Sequence, residues 1–330
     1  MDISNVAEDL RGPLRKLPKM PFASVWGRTV IRTALRLMPA TKVDGVRVVK
    51  RKDLKPQLRV YQPDVRKSDG ALYWIHGGGY LIGNAKIDDR FCGVTARELG
   101  IIVVSVEYRL APEHPFPAPL DDCYEGWQWL QQSAKALGVN PQRIAVGGQS
   151  AGGGLAACLV QRIHDSNEIK PAAQWLLCPM LDDRTAANPE FHNADNFVWN
   201  NRDNATGWRA YLAQDPGAKQ LPAYAAAARR EDLRGLPPVW IGVGTIDLFC
   251  SEDQAYAERL RLAGIDTVFT TVAGAPHAFE AWAFDSEQAQ NFISDAQLWL
   301  GHALSTVARS AKADDSAGRI NHSQDRAANA

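Results

Sequence analysis

The segment Gly148-Gln149-Ser150-Ala151-Gly152 stands between a short β-type run, Arg143 to Gly147, and an Ala- and Leu-rich helical run, Ala151 to Ile163. A serine so placed sits on a sharp strand-to-helix turn. Such a turn forces an unusual backbone conformation and needs flanks nearly free of side chains, as Gly148 and Gly152 provide. The helix behind Ser150 also offers unpaired N–H groups where negative charge would build in acyl transfer. A second glycine group, His76-Gly77-Gly78-Gly79-Tyr80, directly follows the apolar run Ala71 to Ile75. Three glycines let the backbone fold back and aim N–H donors into a cavity. Acyl transfer needs such donors fixed in advance for its oxyanion. The rival reading is a phosphate cradle. No Lys-Ser or Lys-Thr follows, however, and G-x-G-x-x-G is not met.

An acid and a base follow in the order Ser, Asp, His. Pro238 to Gly244 reads as a buried strand, with Asp247 just past its end, where open α/β sheets carry catalytic groups. Glu252 and Asp253 are neighbouring rivals. Ser251 with Gln254 makes a capping-box pattern that assigns those two to a helix's first turn. His277 lies on the loop Gly274 to Phe279, after a strand-like run from Asp266 to Val272. Of the seven histidines, His114, His164, His192, His302 and His322 read as solvated or packing residues, and His76 as a hydrogen-bonded scaffold residue. Imidazole titrates near ~6.5, so a histidine base predicts falling activity in mild acid.

The elements that must position these groups alternate. Strands are expected over Val43 to Lys50, Leu58 to Tyr61, Ala71 to Ile75, Ile101 to Tyr108, Arg143 to Val146 and Ala172 to Leu177, then at Pro238 to Gly244 and Asp266 to Val272. Helical runs include Ala23 to Met38, Asp88 to Leu99, Leu120 to Ala136 and Tyr256 to Ala263. This alternation implies an α/β fold, a largely parallel sheet with helices on both faces. From Asp182 to about Arg234 the pattern weakens, and Trp199, Trp208 and Tyr211 appear among Asn and Asp. That stretch reads as an inserted helical cap, and most of its aromatics as packing residues.

Together these motifs resemble the hormone-sensitive-lipase-like branch of the α/β-hydrolases. The carriers are His76-Gly77-Gly78-Gly79-Tyr80, Gly148 to Gly153, the Asp-then-His order, and Tyr108-Arg109-Leu110-Ala111-Pro112-Glu113-His114-Pro115-Phe116-Pro117-Ala118 continued by Leu120-Asp121-Asp122. The resemblance runs from about residue 40 to about residue 303. It implies an eight-stranded, mostly parallel sheet with a helical cap, no cofactor and no metal. By match of position it implies Ser150 as nucleophile, Asp247 as orienting acid and His277 as base, with N–H groups of Gly78, Gly79 and Ala151 around the oxyanion. Tyr80, Gln149, Trp199 and Phe279 are the substrate-contact candidates. The chain departs from the branch at Gln149, usually Asp or Thr; at Ser251, usually Asp; and at Ala278, often Gly. The implied organisation is an N-terminal cap segment (1–42), two core parts (43–181 and 235–304) around an inserted cap (182–234), and a disordered tail (305–330).

The implied activity is ester hydrolysis on short- to medium-chain acyl groups. Two alternatives stay open: a non-catalytic small-molecule binder on the same scaffold, and an amide or carbamate hydrolase. Bulk properties narrow the partners. With 37 Lys plus Arg against 37 Asp plus Glu, net charge is zero, which gives no drive toward nucleic acid or an anionic membrane. No run approaches the ~20 apolar residues of a membrane span. Arg11, Arg15, Lys16 and Lys19 would suit an interfacial helix, but Pro13, Pro18 and Pro21 are expected to break it. The N-terminus has no continuous apolar stretch of a signal peptide. Five scattered cysteines suit a reducing, cytoplasmic setting. A small-molecule ester is the expected partner, and a homodimer stays open.

Overall fold

A computed structural model describes residues 2–18, 21–22, 24–192 and 195–305. The expectation for the tail beyond 305 lies outside them. Eight strands form one sheet: β1 (Val46–Arg51), β2 (Gln57–Pro63), β3 (Ala71–Ile75), β4 (Ile102–Glu107), β5 (Ile144–Gln149), β6 (Gln174–Leu177), β7 (Val239–Gly244) and β8 (Thr267–Val272). Their order is β1-β2-β4-β3-β5-β6-β7-β8. Only the pairings of β2, with β1 and with β4, are antiparallel; the others are parallel. This is the α/β-hydrolase fold read from the sequence.

The central strands are near-continuous apolar runs because helices cover both faces. Alternate residues of one strand feed opposite layers. Ala71, Tyr73 and Ile75 join one core, and Leu72 and Trp74 the other. The first core is closed by α4 (Ala118–Ser133), α5 (Ala151–His164) and α8 (Cys250–Leu262). The second is closed by α1 (Glu8–Arg15), α3 (Asp89–Leu99), α9 (Phe279–Trp282) and the helix through 287–305, α10. Between β6 and β7 lie α6 (Asp183–Ala187) and α7 (Asn201–Leu212). The N-terminal α2 (Val25–Leu37) buries Ile31 against the first core.

Two local expectations are corrected. Pro13 does not break the first helix: α1 runs through it, with Leu10 and Leu14 buried. That burial outweighs the lost backbone bond. The capping box at Ser251 does not form either. The N-cap of α8 is Phe249, which makes no side-chain cap, and Ser251 lies one turn-position inside the helix. The first-turn placement of Glu252 and Asp253 holds.

Candidate active site

Ser150 caps the junction of β5 and α5 at φ 56°, ψ −124°. A non-glycine residue there is strained, and the surroundings hold it in place. Its N–H donates to Leu177 O (2.9 Å), and its carbonyl accepts from Met180 N (2.9 Å) and Gly154 N (3.0 Å). The flanking glycines are sterically required. A Cβ on Gly148 would lie 2.3 Å from Gly152 O, and one on Gly152 would lie 2.1 Å from Ile75 O.

The side chains separated by 97 and 30 positions along the chain meet at this turn. His277 Nε2 lies 2.8 Å from Ser150 Oγ, and His277 Nδ1 lies 2.8 Å from Asp247 Oδ2. Asp247 Oδ1 accepts from Phe249 N at 3.0 Å, which fixes the carboxylate's second oxygen. All three residues are buried. Phe249 presents its ring edge-on to His277 at 5.2 Å, a contact with no signal in the sequence pattern. Trp282 Nε1 donates to His277 O (2.9 Å) and steadies the loop from the other side.

The glycine loop lies alongside. Gly78 has φ +121° and Gly79 φ +60°, conformations that side chains rarely adopt. A Cβ on Gly79 would sit 2.2 Å from the Trp199 ring. Trp199 is thus pressed onto the loop, with its ring 6.3 Å from that of His277 and 5.1 Å from that of Phe22. Ala151 is the first residue of α5, where a helix leaves its N–H groups without internal partners.

The other substrate-contact candidates have different surroundings. Phe279 turns away into the second core, 5.0 Å from Phe292, and is 1% exposed. Tyr80 is likewise 1% exposed, stacked on Tyr211 at 4.0 Å and tilted against Trp208. Both pack into the interior, Tyr80 in the first core and Phe279 in the second. Gln149 spends its amide on the protein, donating to Glu280 Oε1 at 2.7 Å. Burial pushes the Glu280 carboxyl up, opposed by that bond from Gln149. His76 is a buried scaffold residue, as expected. Its Nδ1 lies 2.8 Å from Gly77 O, its ring stacks on Tyr108, and burial lowers it to about 4, so it stays neutral.

Cys178 stands behind the cluster. Its sulfur and ligand atoms of Asp247 and His277 all lie within 4.8 Å of one another, which makes them the one potential metal-binding group among the described residues. No spacing in the sequence marks this residue. Both imidazole nitrogens are already engaged, and burial raises the thiol well above its usual range. Cys178 is therefore a neutral packing neighbour. Glu252 accepts from Leu181 N (2.8 Å) and Asp182 N (3.2 Å), and burial raises it to about 8. It anchors the start of the 182–234 stretch to α8.

A scan against family models matches residues 72–281 to the α/β-hydrolase fold family. The chain belongs to that family. It is similar to carboxylic ester hydrolase LipN of Mycobacterium tuberculosis, 34% identical over 229 residues, which span 67% of this chain and 60% of LipN. Among solved structures, a bacterial heroin esterase superposes with a TM-score of 0.84 at 35% identity, covering 92% of this chain and 99% of that one. An esterase of the bacterial hormone-sensitive lipase family superposes with a TM-score of 0.75 at 27% identity, covering 90% and 99%. The resemblance seen in the motifs is thus matched by whole-chain similarity.

Proposed function

We propose that this chain is a serine carboxylesterase that cleaves short- to medium-chain acyl esters through an acyl-enzyme. One observation carries the reading: the unbroken relay from Ser150 Oγ through His277 to Asp247, with both links at 2.8 Å. A serine hydroxyl is a weak nucleophile near neutrality and needs an adjacent base. His277 takes its proton during attack and returns it to the leaving alcohol. Asp247 holds the imidazole in the required tautomer and balances its charge. N–H groups of Gly78, Gly79 and Ala151 stabilise the oxyanion, where each donor is worth ~10²–10³ in rate. Water then clears the acyl group from Ser150. Trp199, against the glycine loop, forms the wall that the acyl or alcohol group meets. No cofactor enters this sequence of steps.

Residues 182–234, with the N-terminal segment, act as the cap. The cysteines suit a cytoplasmic enzyme: Cys92, Cys123, Cys158 and Cys178 are buried and unpaired. No helix among the described residues is long and apolar enough to cross a membrane.

Ser150→Ala is expected to lower turnover of a nitrophenyl ester by at least ~10⁴-fold, since removing one member disables the triad. Thermal unfolding should be unchanged. An organophosphate should label the native chain at Ser150. Hydrolysis at near-native rate by the variant would overturn the assignment. Nitrophenyl esters of rising chain length beside matched anilides separate the esterase from an amidase. Absence of labelling with intact fold would favour the non-catalytic binder.

A further inference from the structure

We infer that the outward face of α2 is a docking surface for an anionic lipid bilayer. Of the eleven large apolar side chains exposed among the described residues, five are on α2 or its C-cap: Val25, Trp26, Val30, Leu37 and Met38. Trp26 is 82% exposed and Leu37 79%. At about 100° per residue, Trp26, Val30 and Leu37 fall within roughly 40° of one another, so they form one row along the helix. The inward face is rigidly mounted. Ile31 is buried, and Arg32 donates to Leu81 O (2.7 Å), Ala111 O (2.6 Å) and Glu113 (2.9 Å). The apolar row is therefore held outward by the fold.

The charge around the row selects the occupant. Arg28 and Arg32 face the protein, Arg28 donating to Phe22 O and Arg32 pairing with Glu113, which leaves Arg36 on the helix and Lys42 just beyond it as the cations nearest the row. Beyond the C-terminal end of α2 opens a groove of about 560 Å³ lined by Arg36, Lys50, Lys52, Lys86 and Arg59, with Glu107 facing them. Arg59 is neutralised by Asp89, and Glu107 accepts from Ala85 N. Lys86 Nζ donates to Arg36 O at 3.0 Å, which ties the groove to the helix. The zero net charge of the chain thus hides a local excess of cations beside an apolar strip. A helix that pairs Trp and Leu with a basic flank lies in the headgroup region of an anionic membrane, its apolar row entering the acyl boundary. The entering strip is also near the site: Phe22, just ahead of α2, packs on Trp199.

The test uses the full chain and sedimentation with lipid vesicles. Vesicles of equal parts phosphatidylglycerol and phosphatidylcholine should carry the protein down. Pure phosphatidylcholine should bind at least ~10-fold less, and added salt should weaken the anionic binding. The double variant Trp26→Ser, Leu37→Ser should lose ~10-fold or more of the bound fraction, as expected for removing the inserted apolar groups. Leu262→Ser, exposed on α8, should bind as the native chain does. Unfolding midpoints and soluble-ester activity should be unchanged in both variants, which reads the esterase proposal separately. Equal binding to both vesicle types, no binding to either, or native binding by the double variant would overturn the inference. So would a solution dimer that the double variant dissociates, since the row would then belong to a second copy.

Discussion

In the proposed mechanism Ser150 Oγ, His277 and Asp247 are the reacting line, and the bond between Gln149 and Glu280 links the segments that carry Ser150 and His277. Gln149 directly precedes the nucleophile, and Glu280 follows His277 by three residues. The 2.7 Å bond between them joins the nucleophile's turn to the base's loop in a buried place. Breaking it leaves a buried carboxyl without its donor, which costs about 1–3 kcal/mol. Gln149→Ala is expected to lower kcat several-fold on a short ester with little change in KM, and to lower the unfolding midpoint. Glu280→Gln keeps an acceptor at the same place and should retain most of kcat. A KM effect without a kcat effect would return Gln149 to the substrate-contact role expected from its position. The pairing is not legible in the sequence, because its members are 131 positions apart and the motif that contains Gln149 says nothing of Glu280.

The junction of β3, β5 and α5 shows how tightly an element can specify glycine. An added methyl at Gly152 meets the carbonyl oxygens of Ile75 (2.1 Å) and His76 (2.3 Å), both backbone atoms that cannot rotate away. Gly152→Ala should therefore destabilise at the upper end of the ~1–3 kcal/mol typical of overpacking. Gly12→Ala, in α1, meets nothing within 4 Å and should stabilise by about 0.5–1 kcal/mol. Denaturant unfolding of the two variants checks both signs. Elements of this kind were legible beforehand: the strand expected over Ile101 to Tyr108 is observed as Ile102–Glu107, because a doubly covered strand is mostly apolar, here with only Ser105 and the terminal Glu107 polar. The helix through Pro13 was not legible, since its stability comes from Leu10 and Leu14 packing on distant residues. The inward packing of Phe279 and Tyr80 is not legible for a related reason: position in sequence fixes nearness to the site, whereas facing depends on the neighbouring elements.

Across the whole molecule, burial has left several carboxyls with raised affinity for protons. Asp88 is raised to about 7 and Glu252 to about 8, in both cases by burial first. In the unfolded chain such groups titrate near ~4. Below that pH both states hold the proton and nothing is lost. Between ~4 and 7 the unfolded chain releases the Asp88 proton while the folded chain keeps it, so stability falls with rising pH by about 1.4 kcal/mol per unit. Above about 7 the loss is complete. Asp88→Asn preserves an acceptor for Trp74 Nε1, now 2.7 Å from the carboxylate. Its unfolding midpoint, relative to the native chain, should climb from pH 4 to pH 7 and then level off; a difference independent of pH would refute this account. The ring pressed onto the glycine loop has a consequence of its own. Trp199 Nε1 has no hydrogen-bond partner among the described residues, and its neighbour Phe22 has only an apolar ring to offer. The Trp199 side chain therefore meets its neighbours through apolar contact alone, although the stretch around it is hydrogen-bonded to the core, as by Phe116 N to Tyr211 O (2.7 Å) and Asn196 to Ile246 O (3.2 Å). An oily group seated against this ring would replace the Phe22 contact, whereas a water-loving one would not, so among molecules of equal size the greasier is expected to settle there more readily.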